Sequence, residues 1–329
     1  MNICVKAEQA EIRIAGKTLY VPSAEISGRT VVVTGNWLRW AGVKDEGLVE
    51  GEIVDNPPAF VAGMRKSRLR ADILTFAQKI PDTEPKYGYE FSWDNWAAVP
   101  TTSFDDWWEK RLPQESRKNV RRATKRGVIV EVAQFDDELI KGIQGIYNET
   151  LVRQGRRFWH FGKDFETVKK ENATYLDRSV FLGAYFKEEL IGFIKIIYTD
   201  RVATLIQILS KKEHQDKRPT NALLAKAVEV CERKGMLFLL YGKYTYDGDA
   251  SSPLTEFKRR NGFEEIKYPR YFLSLSATGA VAIRLGLHKG VKRLIPQPTV
   301  NFLRRLRSQF CERRYSAGKS VQNPPASVQ

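Results

Sequence analysis

Hydrophobic and polar positions change their rhythm near residue 104. Before it, short apolar runs at 18–21, 30–33, 37–41, 71–77, 89–91 and 97–99 are separated by the turn signals Gly28, Gly35, Asn56-Pro57-Pro58 and Pro81, which predicts a mostly β first part. After it, helical spacing enters. A short helix is predicted over 104–110 and, after Pro113, a basic helix over 115–126 stopped by Gly127. Residues 128–132 read as a strand. Asp136 reads as the N-cap of an amphipathic helix that carries Leu139, Ile140, Ile143, Ile146 and Tyr147 on one face and ends near Gly155. A second helix over 164–175 precedes three strands at 179–185, 190–198 and 201–209, joined by the tight turns Lys187-Glu188-Glu189 and Thr199-Asp200. A helix over 221–233 stops at Gly235, and the continuously apolar run 236–241 suits a strand buried on both faces. A helix over 254–261 ends at Gly262, and 263–266 and 271–275 are the last strands. No internal repeat is visible.

Of 329 residues, 42% are apolar and 11% aromatic, enough for packed cores and, at roughly 100–200 residues per domain, for two domains. Cys4, Cys231 and Cys311 are odd in number and far apart, which gives neither a disulfide framework nor a zinc spacing and fits a reducing compartment. The start lacks a basic flank before an apolar core, and no stretch approaches 18 uncharged apolar residues, so a soluble, unexported, cytoplasmic chain is expected. No metal is expected either. Asp247-Gly248-Asp249 begins like a calcium loop, but Lys258 stands where its last carboxylate belongs. Gly16-Lys17-Thr18 fails as a P-loop because Glu11 occupies the first glycine position. Trp93, Trp96, Trp107 and Trp108 read as core.

The net charge of +15 is concentrated. Residues 110–126 hold eight basic side chains against Glu115, and 280–320 hold ten against Glu312, so the remainder is nearly neutral. This predicts anionic partners at two places, such as tRNA or another phosphate-bearing ligand, although a solvated helix face and a loose tail would produce the same runs. With Val300, Phe302, Leu303, Leu306 and Phe310 among its arginines, 280–320 also suits docking on an anionic membrane surface, peripheral to the inner membrane. The end, around Asn323-Pro324-Pro325, reads as disordered.

The element order from 128 to 276 is strand, two helices, three strands, helix, strand, helix, two strands, and it resembles the α/β GNAT acyltransferase fold. The segments 116–132 (SRKNVRRATKRGVIVEV), 220–235 (TNALLAKAVEVCERKG) and 254–263 (LTEFKRRNGF) narrow the resemblance to the FemAB/BioF2-like group of that superfamily. The resemblance covers about half of the chain. It implies a β-rich, degenerate GNAT-like half at 1–127, an acyltransferase domain at 128–278 and a basic helical tail at 279–329.

It further implies that two parallel strands, here 201–209 and 236–241, splay apart to admit an activated acyl donor, with a backbone donor near Leu209 or Ser210 facing the reacting carbonyl. The donor phosphates would lie at the next helix start, whose orphan N–H groups attract anions. The glycines that let coenzyme A approach are replaced in Gln215-Asp216-Lys217-Arg218-Pro219-Thr220-Asn221, where Arg218 and Thr220 stand in their places. Lys217, Arg218 and a capping hydroxyl on Thr220 would then hold the anion electrostatically; a polar loop with an N-cap is the plainer reading. The co-substrate is expected to be acyl-CoA or aminoacyl-tRNA, with no permanently bound cofactor. The acceptor is expected to be a small polar amine, as on a cell-envelope or polysaccharide precursor. Deprotonating a lysine-like amine at pH 7 costs over ~4 kcal/mol, so a base is needed, and an acid for the leaving group. The resemblance favours a tyrosine after the buried strand as acid; Tyr241, Tyr244 and Tyr246 are available, and Tyr246, beside Asp247, is the first choice. His160 is a candidate base, and Arg156, Arg157, Trp159 and Lys258 are candidate acceptor contacts; each has a structural reading too, as core histidine, rim residue or exposed helical lysine. The non-enzymatic alternative is an inactive scaffold that binds nucleic acid or another anion.

Overall fold

The computed structural model describes residues 8–14, 17–153, 155–246 and 249–289. In chain order the first part supplies β1 (Glu8–Ile14), β2 (Lys17–Ile26), β3 (Arg29–Thr34), β4 (Trp40–Val43), α1 (Pro57–Lys66), β5 (Ile73–Ala77) and β6 (Glu90–Pro100). Then come α2 (Phe104–Asp106), which runs into a π turn at Trp107–Arg111, α3 (Gln114–Lys125), β7 (Ile129–Ala133), α4 (Asp137–Asn148), β8 (Val152–Arg153), β9 (Arg156–Arg157) and α5 (Phe165–Asn172). The remainder is β10 (Ser179–Phe186), β11 (Glu189–Thr199), β12 (Val202–Ser210), α6 (Pro219–Arg233), β13 (Phe238–Leu240), α7 (Pro253–Arg260), β14 (Glu264–Ser274) and α8 (Ala277–Arg284).

Twelve strands form one sheet in the order β1-β2-β3-β4-β5-β14-β6-β13-β12-β11-β10-β7. Its pairs are antiparallel except β4 with β5 and β12 with β13. Each half of the sheet is therefore a run of antiparallel strands, one parallel pair, and a closing antiparallel strand. The closing strands are exchanged: β14 pairs with β5, and β6 pairs with β13. The sheet thus runs unbroken through the boundary at 127/128. The two exchanged strands pair with each other over nine positions, from Glu264↔Ala98 to Phe272↔Glu90.

That exchange explains two differences from the periodicity. Residues 90–91 and 97–99 belong to one strand, as do 264–266 and 271–274, because the polar centres of β6 and β14 pair with each other, Asp94 with Arg270. Asp94, in the middle of β6, pairs with Lys243 at 2.8 Å and with Arg270 of β14 at 3.1 Å, and Arg270 reaches on to Glu46. A buried charge with partners sits inside a sheet without breaking it. The helix α1 replaces the expected turn at Asn56-Pro57-Pro58. The Asn56 side chain accepts the Ala59 N–H at 3.0 Å, and prolines occupy the first helical positions, where no N–H is missed. The predicted helix reaching Gly155 stops at Asn148 and gives way to the β8–β9 hairpin. Cys4, Cys311, Asp247, Gly248 and the tail from 290 onward lie outside the described residues. Among the described residues, no helix is long and apolar enough to cross a membrane.

Candidate functional site

The parallel strands β12 and β13 are paired at only three positions, Val202↔Phe238, Ala203↔Leu239 and Thr204↔Leu240. There they part. The chain leaving β13 follows β6 instead, with Tyr241 N–H on Ala97 O and Ala97 N–H on Gly242 O, both at 2.8 Å. Strand β12 continues to Ser210 with β11 as its one strand partner among the described residues, so its other edge lines a gap. A bulge sets which groups face that gap. Lys195 pairs with Gln207 while Ile196 pairs with Leu205, which leaves Ile206 as the extra residue and reverses the alternation beyond it. Lys211 donates its N–H to Ile191 O at 2.8 Å, so Leu209 faces β11 and the amides of Ile208 and Ser210 face the gap. Of the two expected donors, Ser210 turns its amide into the gap and Leu209 does not.

In the first half, the corresponding gap between β4 and β5 is filled. After the pairs Trp40↔Ile73 and Ala41↔Leu74, the carboxylate of Glu46 takes the Ala77 N–H at 3.3 Å and the Arg270 guanidinium. Among the described residues, only the second half keeps an open edge at this position.

Helix α6 starts at the far end of the gap. Its N-cap is Arg218, in the left-handed conformation (φ 58°), and not Thr220. The Thr220 hydroxyl meets the Ser210 hydroxyl at 3.1 Å and ties the helix to the end of β12, which corrects the expected capping role. Arg218 so adopts the backbone that a glycine would supply, with an exposed guanidinium in addition. Pro219 has no N–H, and those of Asn221 and Ala222 turn back to Arg218 O, so the first turn offers chiefly the Thr220 amide to an anion. The Gln215–Lys217 turn leads into it; the Lys217 ammonium lies 4.7 Å from the Phe186 ring centroid, and Asn221 bridges to Asn261 at 3.0 Å. Arg126 at the end of α3 binds Asp216, with one contact at 3.1 Å, so the exposed stripe Lys118, Arg121, Arg122 and Lys125 joins the basic loop before α6. Arg218→Gly is expected to melt at or above the wild-type temperature, since left-handed backbone costs a non-glycine roughly 1–2 kcal/mol and glycine's greater unfolded freedom returns only part of it. The same change should weaken anion binding, so a thermal melt paired with a donor titration separates the two effects.

The opposite wall is the segment after β13. Lys258 on α7 is 1% exposed, which removes the reading of an exposed helical lysine. Its ammonium donates to Lys243 O and lies 5.0 Å from the Tyr241 ring centroid and 5.1 Å from that of Tyr246. Burial pushes its pKa down to about 8 and pushes that of Tyr241 up to about 12. Tyr246 is exposed, with its hydroxyl folded back toward Gly242. Asp94 and Asn95 of β6 clamp this segment through Lys243 and through the Thr245 N–H, the latter at 2.9 Å.

His160 lies elsewhere. Its ring stacks on Tyr147 with centroids 4.3 Å apart, and Nδ1 faces Lys163 at 3.3 Å and Glu171 at 3.6 Å. Burial lowers its pKa despite Glu171, whose own pKa falls to about 2 because His160 and Lys163 outweigh its burial. This is a packed histidine, and the base role loses its geometry. Arg156 and Arg157 form β9, and Trp159 follows, all exposed. The residue missed in this loop is Arg153. It donates to Ser210 O at 3.0 Å and to Ile146 O at 3.0 Å, pairs with Glu149 at 3.1 Å and covers Phe158, thereby docking the hairpin on the end of β12. Gln207, also missed, exchanges hydrogen bonds with the Tyr147 hydroxyl. Among the described residues, one group, Glu189, Glu213 and His214, has metal-ligand spacing, and Lys211 binds into its carboxylates.

No family model matches the chain, and no curated protein does. Solved structures do. FemX aligns with a TM-score of 0.52 at 13% identity over 82% of this chain and 88% of its own. L-PGS from Bacillus licheniformis aligns at 0.51 and 16% over 84% and 89%. The C-terminal domain described as that of a lysylphosphatidylglycerol synthetase from Agrobacterium fabrum aligns at 0.51 and 14% over 80% and 87%. With two half-sheets, exchanged closing strands and one open parallel pair, the chain has the fold of FemX and L-PGS.

Proposed function

We propose that the chain is an N-acyltransferase that takes an activated acyl or aminoacyl donor into the gap between β12 and β13 and passes the acyl group to an amine. The observation that carries this is the unpaired edge of β12, with the Ser210 amide turned into the gap and the start of α6 beyond it. The amine nitrogen adds to the donor carbonyl, the oxyanion accepts a hydrogen bond from the Ser210 N–H, and the C–S or C–O bond to the leaving group breaks as the amine loses its proton to solvent. A fixed amide of this kind stabilises such an oxyanion by about 2.7–4 kcal/mol. Tyr246, exposed beside the Lys258 ammonium, is the group we assign to protonating the leaving atom. The buried Lys258 is a positioning residue that fixes the segment carrying Tyr244 and Tyr246. Arg156 and Trp159 are assigned to the acceptor side. FemX and lysylphosphatidylglycerol synthetase share the fold, and the second name supports an aminoacyl group as cargo.

The stripe running from α3 to the loop before α6 favours a donor with many phosphates, so tRNA is preferred to coenzyme A. Arg122→Glu with Lys125→Glu is then expected to raise the donor KM by at least ~tenfold with little change in kcat, and to flatten the salt dependence by about 0.7 in log–log slope per lost phosphate contact. Thermal stability with acetyl-CoA, longer acyl-CoAs and charged tRNA tests the function itself. A bound donor at a hundred times its Kd should add ~2.7 kcal/mol. No shift from any donor contradicts the proposal, and stabilisation by uncharged nucleic acid alone would favour the inactive binding scaffold.

A further inference from the structure

Arg153 holds the open edge of β12 from outside. In an extended strand the N–H and C=O of one residue point the same way, so the Ser210 carbonyl lies on the same gap-facing edge as the Ser210 amide. One terminal nitrogen of Arg153 donates to that carbonyl at 3.0 Å. The other donates to Ile146 O in the last turn of α4 at 3.0 Å and to Glu149 at 3.1 Å, while the Phe158 ring centroid lies 5.0 Å from the guanidinium carbon. Two more contacts run along the same seam. The Lys212 ammonium donates to Val152 O at 3.1 Å, and the Glu213 N–H donates to the Glu149 carboxylate at 3.0 Å.

A strand end laddered on one side frays more readily than one laddered on both. The peptide that carries the Ser210 amide has to stay open toward the gap in order to meet a substrate. The next peptide is therefore the nearest place at which the edge can be fixed. It is gripped from both sides, its N–H, that of Lys211, on Ile191 O at 2.8 Å and its carbonyl by Arg153. The Ser210 hydroxyl, 3.1 Å from that of Thr220, ties the side chain but leaves the backbone to these two contacts. Arg153 also begins the β8–β9 hairpin, which carries Arg156 and leads to Trp159. One guanidinium thus joins the acceptor side of the site to the amide that faces the donor carbonyl.

We propose that Arg153 is a positioning residue of this site: it fixes the Ser210 backbone from the open side, keeps the Ser210 amide turned into the gap, and makes the acceptor-side hairpin and that amide move as one body. The proposal rests on the acyl-transfer reading given above. Its test uses the full chain labelled with ¹⁵N-serine and a non-reactive ketone analogue of the donor, prepared both on coenzyme A and on the terminal ribose of tRNA. In the wild type the Ser210 amide should give one resonance that moves downfield as the analogue binds. Arg153→Met should keep the Kd of the analogue within a few-fold, yet split or broaden the free Ser210 resonance and remove at least half of the shift. Arg153→Gln carries the same expectation if the methionine variant does not fold. Arg153→Lys, which keeps the charge but not the planar fork, should restore part of the shift. Lys212→Met cuts the same seam without touching Ser210 O and should behave as the wild type. A wild-type shift in Arg153→Met, or an equal loss in Arg153→Met and Lys212→Met, would overturn the proposal. A wild type whose Ser210 amide stays unmoved at saturation would instead contradict acyl transfer in the gap itself, and the assignment of Arg153 would fall with it.

Discussion

Ser210→Pro is expected to lower turnover by about 10²–10³-fold while the protein stays folded and binds its donor within a few-fold of wild type. The Ser210 amide is turned away from β11, so its loss removes no ladder bond; proline is tolerated where a strand amide faces outward. The Ser210 carbonyl, held by Arg153 at 3.0 Å, is retained. Leu209→Pro is the matched control. Its amide belongs to the β11 ladder opposite Phe193, and the same substitution one residue earlier should destabilise the fold itself. Comparable damage from both prolines, in turnover and in melting temperature alike, would mean that the gap-facing amide has no chemical role.

The second large effect is a pH dependence. Lys195 is 2% exposed and Lys258 1%, and burial lowers each pKa to about 8. The unfolded chain keeps the ordinary value near 10.5. Between these values the unfolded state holds a proton that the folded state has released, so stability rises with pH across that window and is level below about 8. Lys258→Met removes one such contribution. The stability of wild type relative to the variant should grow by on the order of 3 kcal/mol from pH 8 to pH 10.5 in urea titrations, and a constant difference would contradict a buried amine. Lys195→Met should act in the same way and independently. Lys195 binds the carbonyls of Asn172 and Thr174 at 2.7 and 2.6 Å, whereas Lys258 holds Lys243 O. Their effects on function should differ: Lys258→Met loosens the segment bearing Tyr246 and is expected to reduce turnover by about 10²-fold, as misplacement by an ångström can.

Much of the second half was legible because its signals are local. Asp136 and Asp164 accept the Leu139 and Thr167 amides at 2.9 and 2.8 Å, as capping residues should, and β10, β11 and β12 begin and end within a residue or so of their apolar runs. What the sequence concealed depends on distant partners. Asp94 and Arg270 read as breaks within strands until the sheet brings them together. Arg153 looks like one more exposed arginine until the β8–β9 hairpin lays it on Ser210 O. Leu209 and Ser210 cannot be told apart as donors from the sequence, because strand parity depends on the bulge at Ile206, which leaves no mark in composition. The hydroxyl of Thr220 points to it as the cap because Arg218 is an unusual residue for a left-handed N-cap, and Pro219 at the next position is the better clue.

The central claim is that the open edge of β12 receives the donor carbonyl. Amide NMR of the chain labelled with ¹⁵N-serine, during titration with a non-reactive ketone analogue of the donor, addresses it most directly. The Ser210 resonance should move downfield as the analogue binds and be absent from Ser210→Pro. Saturating binding that leaves the Ser210 amide unmoved would contradict the account.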